Sequence, residues 1–171
     1  MGALRIFPWD VPESSLKDKE EALSQHFVFP GHTGPIYTIG FSPDGQKLAT
    51  GGYDALVGLW DVPSMVCKST ISRRSKFIRS VSHSHDSRLV ASCTEEDGVD
   101  IADSLTGDHI GSISLSYKSQ SSRFGPPGGS GPVEIAFHPK AHVLACARGD
   151  TQSSVQVPQV TVAKINLSYV Q

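Results

Sequence analysis

Cysteine is scarce in this chain and nowhere clustered. Its three copies, Cys67, Cys93 and Cys146, stand far apart and form no Cys-x-x-Cys. An odd, scattered count excludes a disulfide framework and predicts reduced, buried thiols in an intracellular protein. A dominant charge of either sign is lacking too: 15 Lys and Arg face 17 Asp and Glu, for a net charge of −2. No global field therefore draws in nucleic acid or an anionic membrane surface. Long apolar runs are missing, and none approaches the roughly 20 residues that cross a bilayer. Pro8, Asp10 and Pro12 interrupt the start, MGALRIFPWDVPESS, which excludes a signal-peptide core. Ile6 stands where a myristoylation signal wants Ser or Thr. Helical periodicity is nearly absent as well. The one candidate helix, SLKDKEEALS (Ser15 to Ser24), reads equally well as a charged, solvated loop. A soluble chain is the expectation, with neither a membrane nor a small-molecule substrate as its partner.

What is present is a repeat. IYTIGFSPDGQKLATGGYDALVGLWD (Ile36 to Asp61) aligns without a gap on IRSVSHSHDSRLVASCTEEDGVDIAD (Ile78 to Asp103), a step of 42 residues. Thr38 meets Ser80, Ile39 meets Val81, Ala49 meets Ala91, Val57 meets Val99 and Leu59 meets Ile101. A third copy begins at VEIAFHPKAHVLACARGD (Val133 to Asp150), a step of 96 from Ile39 to Ile135. Before it lies KSQSSRFGPPGGSGP (Lys118 to Pro132), in which 11 of 15 residues are Gly, Ser or Pro. Such a composition buries no apolar surface and predicts a surface loop.

Within each copy the apolar residues alternate, and turn signals recur every 8–12 residues, as they do in short antiparallel strands. The fold class is therefore all-β. A period near 42 with Gly31-His32 at one end and Trp60-Asp61 at the other is the sequence signature of a propeller blade of the WD type. A four-stranded blade cannot cover both of its faces, so neighbours must cover them. Five segments are expected: residues 1–30, the end of a preceding blade plus a linker; 31–72, a first complete blade; 73–117, a degenerate second blade without Trp-Asp; 118–132, the loop; and 133–171, a third, partial blade. That is an incomplete, open propeller of about three to four blades, either a truncated product or a fragment of a longer propeller.

Several stretches imitate chemistry. GPPGGSGP (Gly125 to Pro132) resembles a phosphate loop but lacks its Gly-Lys-Ser/Thr end; Pro132 follows Gly131 and removes both charge and N–H. His83 and His85 sit two apart like a metal pair, yet the register places His83 at the Phe41 position and His85 at the Pro43 turn. GVDIADSLTGD (Gly98 to Asp108) holds three aspartates. Alternation sends Asp100 and Ala102 to one face and Val99, Ile101 and Asp103 to the other, so the carboxylates do not converge on a cation. No metal, no cofactor and no catalytic residue is expected, and the chain is not read as an enzyme. Basic residues concentrate between Lys68 and Arg88. Of these, Arg73, Arg74 and Lys76 form a candidate patch for RNA or a partner, although the linear sequence shows no aromatic interleaving.

ATGGYDALVGLWDV, IRSVSHSHDSRLVAS, VDIADSLTGD and AFHPKAHVLA resemble the WD-repeat family and, within it, the C-terminal repeats of the THO complex subunit 3 family. The most specific piece is Asp100-Ile101-Ala102 followed by Thr106-Gly107-Asp108. Most WD proteins carry an aromatic residue where Ala102 stands. The resemblance covers residues 28 to 167, with LRIFPWDV ending an earlier blade, and His83 departs from the family's phenylalanine. It implies a buried polar chain of His32, Thr50, Asp54 and Trp60 across the first blade. A His–Asp–Thr set also resembles hydrolase chemistry, but no nucleophile elbow accompanies it. The resemblance further implies a contact residue just before each turn acid, Tyr53 and Glu95. By it the chain is a non-enzymatic scaffold of a nuclear THO/TREX-like mRNA-export complex, with other subunits of that complex as partners and RNA as a weak or indirect one. The rival reading is a WD adaptor of another complex, such as a ubiquitin-ligase receptor or a chromatin reader.

Overall fold

The computed structural model describes residues 2–6, 27–94, 98–114, 134–148 and 159–164. The candidate helix at 15–24, Glu95 and the loop at 118–132 lie outside the described residues. The alternating segments form thirteen described strands, and every pairing between them is antiparallel. The first complete blade is β3 (Ile36–Phe41), β4 (Lys47–Gly52), β5 (Val57–Asp61) and β6 (Val66–Ile71), hydrogen-bonded in that order. The second repeats it as β7 (Ile78–His83), β8 (Leu89–Thr94), β9 (Val99–Asp103) and β10 (His109–Ile113). A three-stranded sheet follows, β11 (Glu134–Phe137), β12 (Val143–Arg148) and β13 (Gln159–Lys164). Ahead of the first blade, β1 (Gly2–Ile6) pairs with β2 (Phe27–His32) in a sheet of two.

The same local chemistry closes the first turn of both complete blades. The Ser42 hydroxyl donates to Asp44 (2.5 Å) and accepts from the Lys47 N–H (2.9 Å), while Gly45 takes the left-handed conformation at φ 70°. One repeat later, Ser84 donates to Asp86 (2.6 Å) and accepts from the Leu89 N–H (2.9 Å). Serine and aspartate at these positions satisfy turn amides that a strand ladder cannot reach.

Three apolar clusters hold the sheets side by side. Leu4, Leu48 and Trp60 join β1 and β2 to the first blade, with Phe29 and Ile36 packed on them. Ala49, Val57, Leu59 and Ile71 meet Ile78, Val81, Val90 and Ala102 between the first and second blades. Leu89, Ala91, Cys93, Val99 and Ile101 meet Ile135, Leu144 and Cys146 beyond it. Each large aliphatic side chain buried there contributes about 2 kcal/mol. Polar stitches repeat along the inner strands: Thr38 Oγ1 accepts from the Val81 N–H (3.2 Å), and Ser80 Oγ accepts from the Ile135 N–H (3.2 Å). Lys47 Nζ crosses between blades to the Ser87 carbonyl and the Ser104 hydroxyl, both at 2.8 Å.

The arc is open. Val81 and His83 on β7 are 7% and 6% exposed, but Ile39 and Phe41, their counterparts on β3, are 58% and 55% exposed. None of the three cysteines forms a disulfide, and burial pushes the Cys93 thiol up to about 12, so it stays protonated and inert. No helix among the described residues is long and apolar enough to cross a membrane.

Candidate functional site

Across the first blade a hydrogen-bond chain links three strands and a turn. Asp54, in the turn after β4, accepts from the His32 ring (Nδ1, 2.9 Å) and from the Thr33 N–H (2.9 Å). With Nδ1 donating, Nε2 is left to accept, so the Thr50 hydroxyl donates to it (2.8 Å) and itself accepts from Trp60 Nε1–H (2.9 Å). Burial alone would raise the Asp54 pKa, but the His32 bond and the Thr33 and Leu56 amides outweigh it and hold the carboxyl below its ordinary value. Thr50 has no exposed surface and its hydroxyl is committed on both sides.

The second blade carries different chemistry in the same slot. Ala102 takes the place of Trp60 and is fully buried. Asp100, 3% exposed, pairs with Arg73 Nη2 (2.7 Å) and with His109 Nδ1 (3.0 Å). Arg73 Nη1 also donates to the Gly107 carbonyl (2.7 Å). The aspartates of GVDIADSLTGD part company. Asp100 faces Arg73, whereas Asp103 accepts from the Leu105 and Thr106 amides and closes its own turn. Among the described residues no cluster of three or more His, Cys, Asp or Glu is arranged to hold a metal ion.

His83 ends β7, 6% exposed, with no hydrogen-bond partner for either ring nitrogen among the described residues. Burial, with the charge of Lys47 second, pushes its pKa down to about 4, so it is neutral at pH 7. His85 points elsewhere, its ring centroid 4.5 Å from that of His142.

Arg73, Arg74 and Lys76 differ in their surroundings. Arg73 is drawn onto buried Asp100, Arg74 is half-buried and Lys76 is exposed. Tyr53, 60% exposed, belongs instead to an aromatic group that crosses the junction of the two blades. Its ring lies nearly parallel to Phe77 (centroids 6.1 Å, 11°), and Tyr37, 49% exposed, meets both rings edge-on at 6.5 and 5.8 Å. The Arg79 guanidinium covers Phe77 at 4.5 Å. Tyr37, Phe77, Arg79 and His109 are not singled out by the sequence. Tyr37 and Arg79 do share one repeat position, but Phe77 sits in a connection whose direction no periodicity reveals.

Side-by-side four-stranded antiparallel sheets, joined inner strand to inner strand and closed by Ser/Asp turns, are the blades of a β-propeller. The family model "WD domain, G-beta repeat" matches residues 23–61 and 65–99, so the chain carries WD repeats. It is 32% identical over 119 residues to THO complex subunit 3 of Arabidopsis thaliana, covering 70% of this chain and 34% of that protein. It is 30% identical over 141 residues to Protein TEX1 of Saccharomyces cerevisiae, covering 81% and 31%. It is also 30% identical over 101 residues to Probable cytosolic iron-sulfur protein assembly protein 1 of Malassezia globosa, covering 50% and 28%. The chain thus spans about a third of the length of these curated relatives.

Proposed function

We propose that this chain is a non-enzymatic WD-repeat scaffold module of a THO/TREX-like complex, acting in the nucleus in mRNA processing and export. The observation that carries this reading is the similarity to THO complex subunit 3 over 70% of the chain. Two features of the structure support a binding role over a catalytic one. The His–Asp–Thr set that resembles hydrolase chemistry is sealed, with Thr50 inaccessible. What faces solvent instead is a rigid surface of turns and inner-strand residues that carries Tyr53. On this reading Tyr53 is a contact residue of that surface, Glu95 is its counterpart in the second blade, and Lys76 is an exposed member of the basic segment.

The test is affinity capture of the tagged chain from nuclear extract with mass spectrometry, alongside imaging of its location. Recovery of THO subunits and a nuclear signal are expected. A second reading, a WD adaptor of another complex, draws on the similarity to the cytosolic iron-sulfur assembly relative. Capture of iron-sulfur assembly factors, cullin adaptors or histones in place of THO subunits would favour it.

A further inference from the structure

The aromatic group at the junction of the first two blades lacks a task in the fold. Core aromatics hide their faces, yet Tyr53 and Tyr37 leave 60% and 49% of their surface to solvent. Among the described residues their hydroxyls have no hydrogen-bond partner. The geometry is nevertheless fixed. The Tyr53 N–H donates to the Pro35 carbonyl (2.9 Å), and a side chain at Gly34 would come within 3.0 Å of Tyr53 Cβ. Phe77 backs Tyr53 in near-parallel stacking, Tyr37 walls one side, and Arg79 clamps Phe77. Lys76, next to Phe77, is exposed. Folding thus supplies the interleaving of cations and aromatic faces that the linear sequence lacks.

We propose that Tyr37, Tyr53 and Phe77 form a stacking shelf for unpaired bases of single-stranded RNA, with Lys76 contacting its backbone. This names the ligand class of the surface that carries Tyr53 and rests on the scaffold reading only for its cellular setting. A flat, prebuilt ring face suits a planar base, and stacking on it is tolerant of sequence because every base has a π-face. The free phenol hydroxyls add donors and acceptors for a 2′-OH or a base edge. Lys76, exposed next to Phe77, supplies a positive charge at the shelf for an anionic strand.

The experiment is fluorescence anisotropy of a labelled single-stranded RNA of about 12 nucleotides with the whole chain, titrated at several salt concentrations from about 50 mM. Tyr53→Ala is expected to weaken binding about tenfold, and Tyr53→Phe, which keeps the ring, about twofold or less. Lys76→Ala lowers the slope of log K against log salt by about 0.7. Duplex RNA of the same sequence binds at least about tenfold more weakly, because its bases are not free to stack. Tyr53 is mostly exposed, so an unchanged melting curve checks that the variant folds. Absence of RNA binding by the wild-type chain overturns the proposal, as does equal binding by Tyr53→Ala. If RNA does not bind but Tyr53→Ala abolishes capture of THO subunits, the shelf serves a protein, and the scaffold reading survives without this one. If RNA binding depends on Tyr53 while no THO subunit is captured, the shelf stands and the scaffold reading falls.

Discussion

The first two blades fill one slot in two ways. In the first, the slot holds the Trp60 indole, and two glycines make room for it. A side chain at Gly31 would come within 2.4 Å of the indole ring, and one at Gly58 within 2.9 Å of Nε1 and 2.8 Å of Thr50 Oγ1. One repeat onward these three positions are Arg73, Asp100 and Ala102. With the indole gone, both former glycine positions carry charged side chains, and these meet at 2.7 Å. The three replacements are therefore coupled. An arginine or an aspartate beside Trp60 would collide with it, and an alanine beside two glycines would leave a void. The first blade uses a hydrogen-bonded aromatic core. The second uses a buried carboxylate that needs its cation.

The most forceful way to break this comparison is Trp60→Ala. Loss of the indole should cost about 4 kcal/mol, read from urea unfolding, because the void cannot collapse and the Thr50 hydroxyl loses its donor. Gly58→Asp should be severe in the wild-type background and less severe in the Trp60→Ala background, where the clash is gone but the buried carboxylate still lacks a cation. The expected coupling is about 1–3 kcal/mol in a double-mutant cycle. Additive effects would mean that the two positions are independent, and the slot argument would fail.

Much of the fold is legible in the sequence because repetition multiplies a weak signal. Alternation over six residues is ambiguous alone, but the same alternation from Ile36 and from Ile78, each followed by the same Ser/Asp turn, and its recurrence around Ile135 fix strands and order together. The separation of Asp100 from Asp103 is legible for the same reason, since a period of two decides faces. Partners across space are not legible. Arg73 stands in the sequence as one of a run of cations, and only the approach of the β6–β7 connection to β9 draws it onto Asp100. Tyr37, Tyr53 and Phe77 are 16 to 40 residues apart and meet only because neighbouring blades abut. Turn positions can be counted along a chain, but the direction of a connection between blades cannot.

A second contrast lies on the inner strands, where His83 occupies the place of Phe41. Its pKa falls from an ordinary 6.5 to about 4 on burial. Between those values the unfolded chain takes up a proton that the folded chain refuses. Stability is therefore complete above pH 6.5 and declines as pH falls toward 4, by roughly 3 kcal/mol. The carboxyls of Asp54, Asp86 and Asp103 are held below their ordinary values. Their contribution is present above the usual carboxylate pKa and is lost only at lower pH, so the two windows separate. His83→Phe should flatten the profile between pH 6.5 and 4 in chemical denaturation and leave the steeper acid limb in place. An unchanged slope would show that His83 does not stay neutral on folding.

The smallest expected effect falls on the ion pair of the second blade. Arg73→Ala should cost about 2 kcal/mol, less than the full penalty for an orphaned buried charge. Two facts moderate it: the Arg73 side chain is 34% exposed, and His109 remains 3.0 Å from Asp100. Most of that loss would come from Asp100 left short of a cation, not from a missing attraction. Removing the carboxylate as well, in Arg73→Ala/Asp100→Ala, should therefore restore stability to or above that of Arg73→Ala alone. The indole network predicts the reverse, since Thr50→Val added to Trp60→Ala orphans His32 Nε2 as well and makes the loss larger. If both double variants responded alike, the two fillings of the slot would be one kind of interaction in different dress.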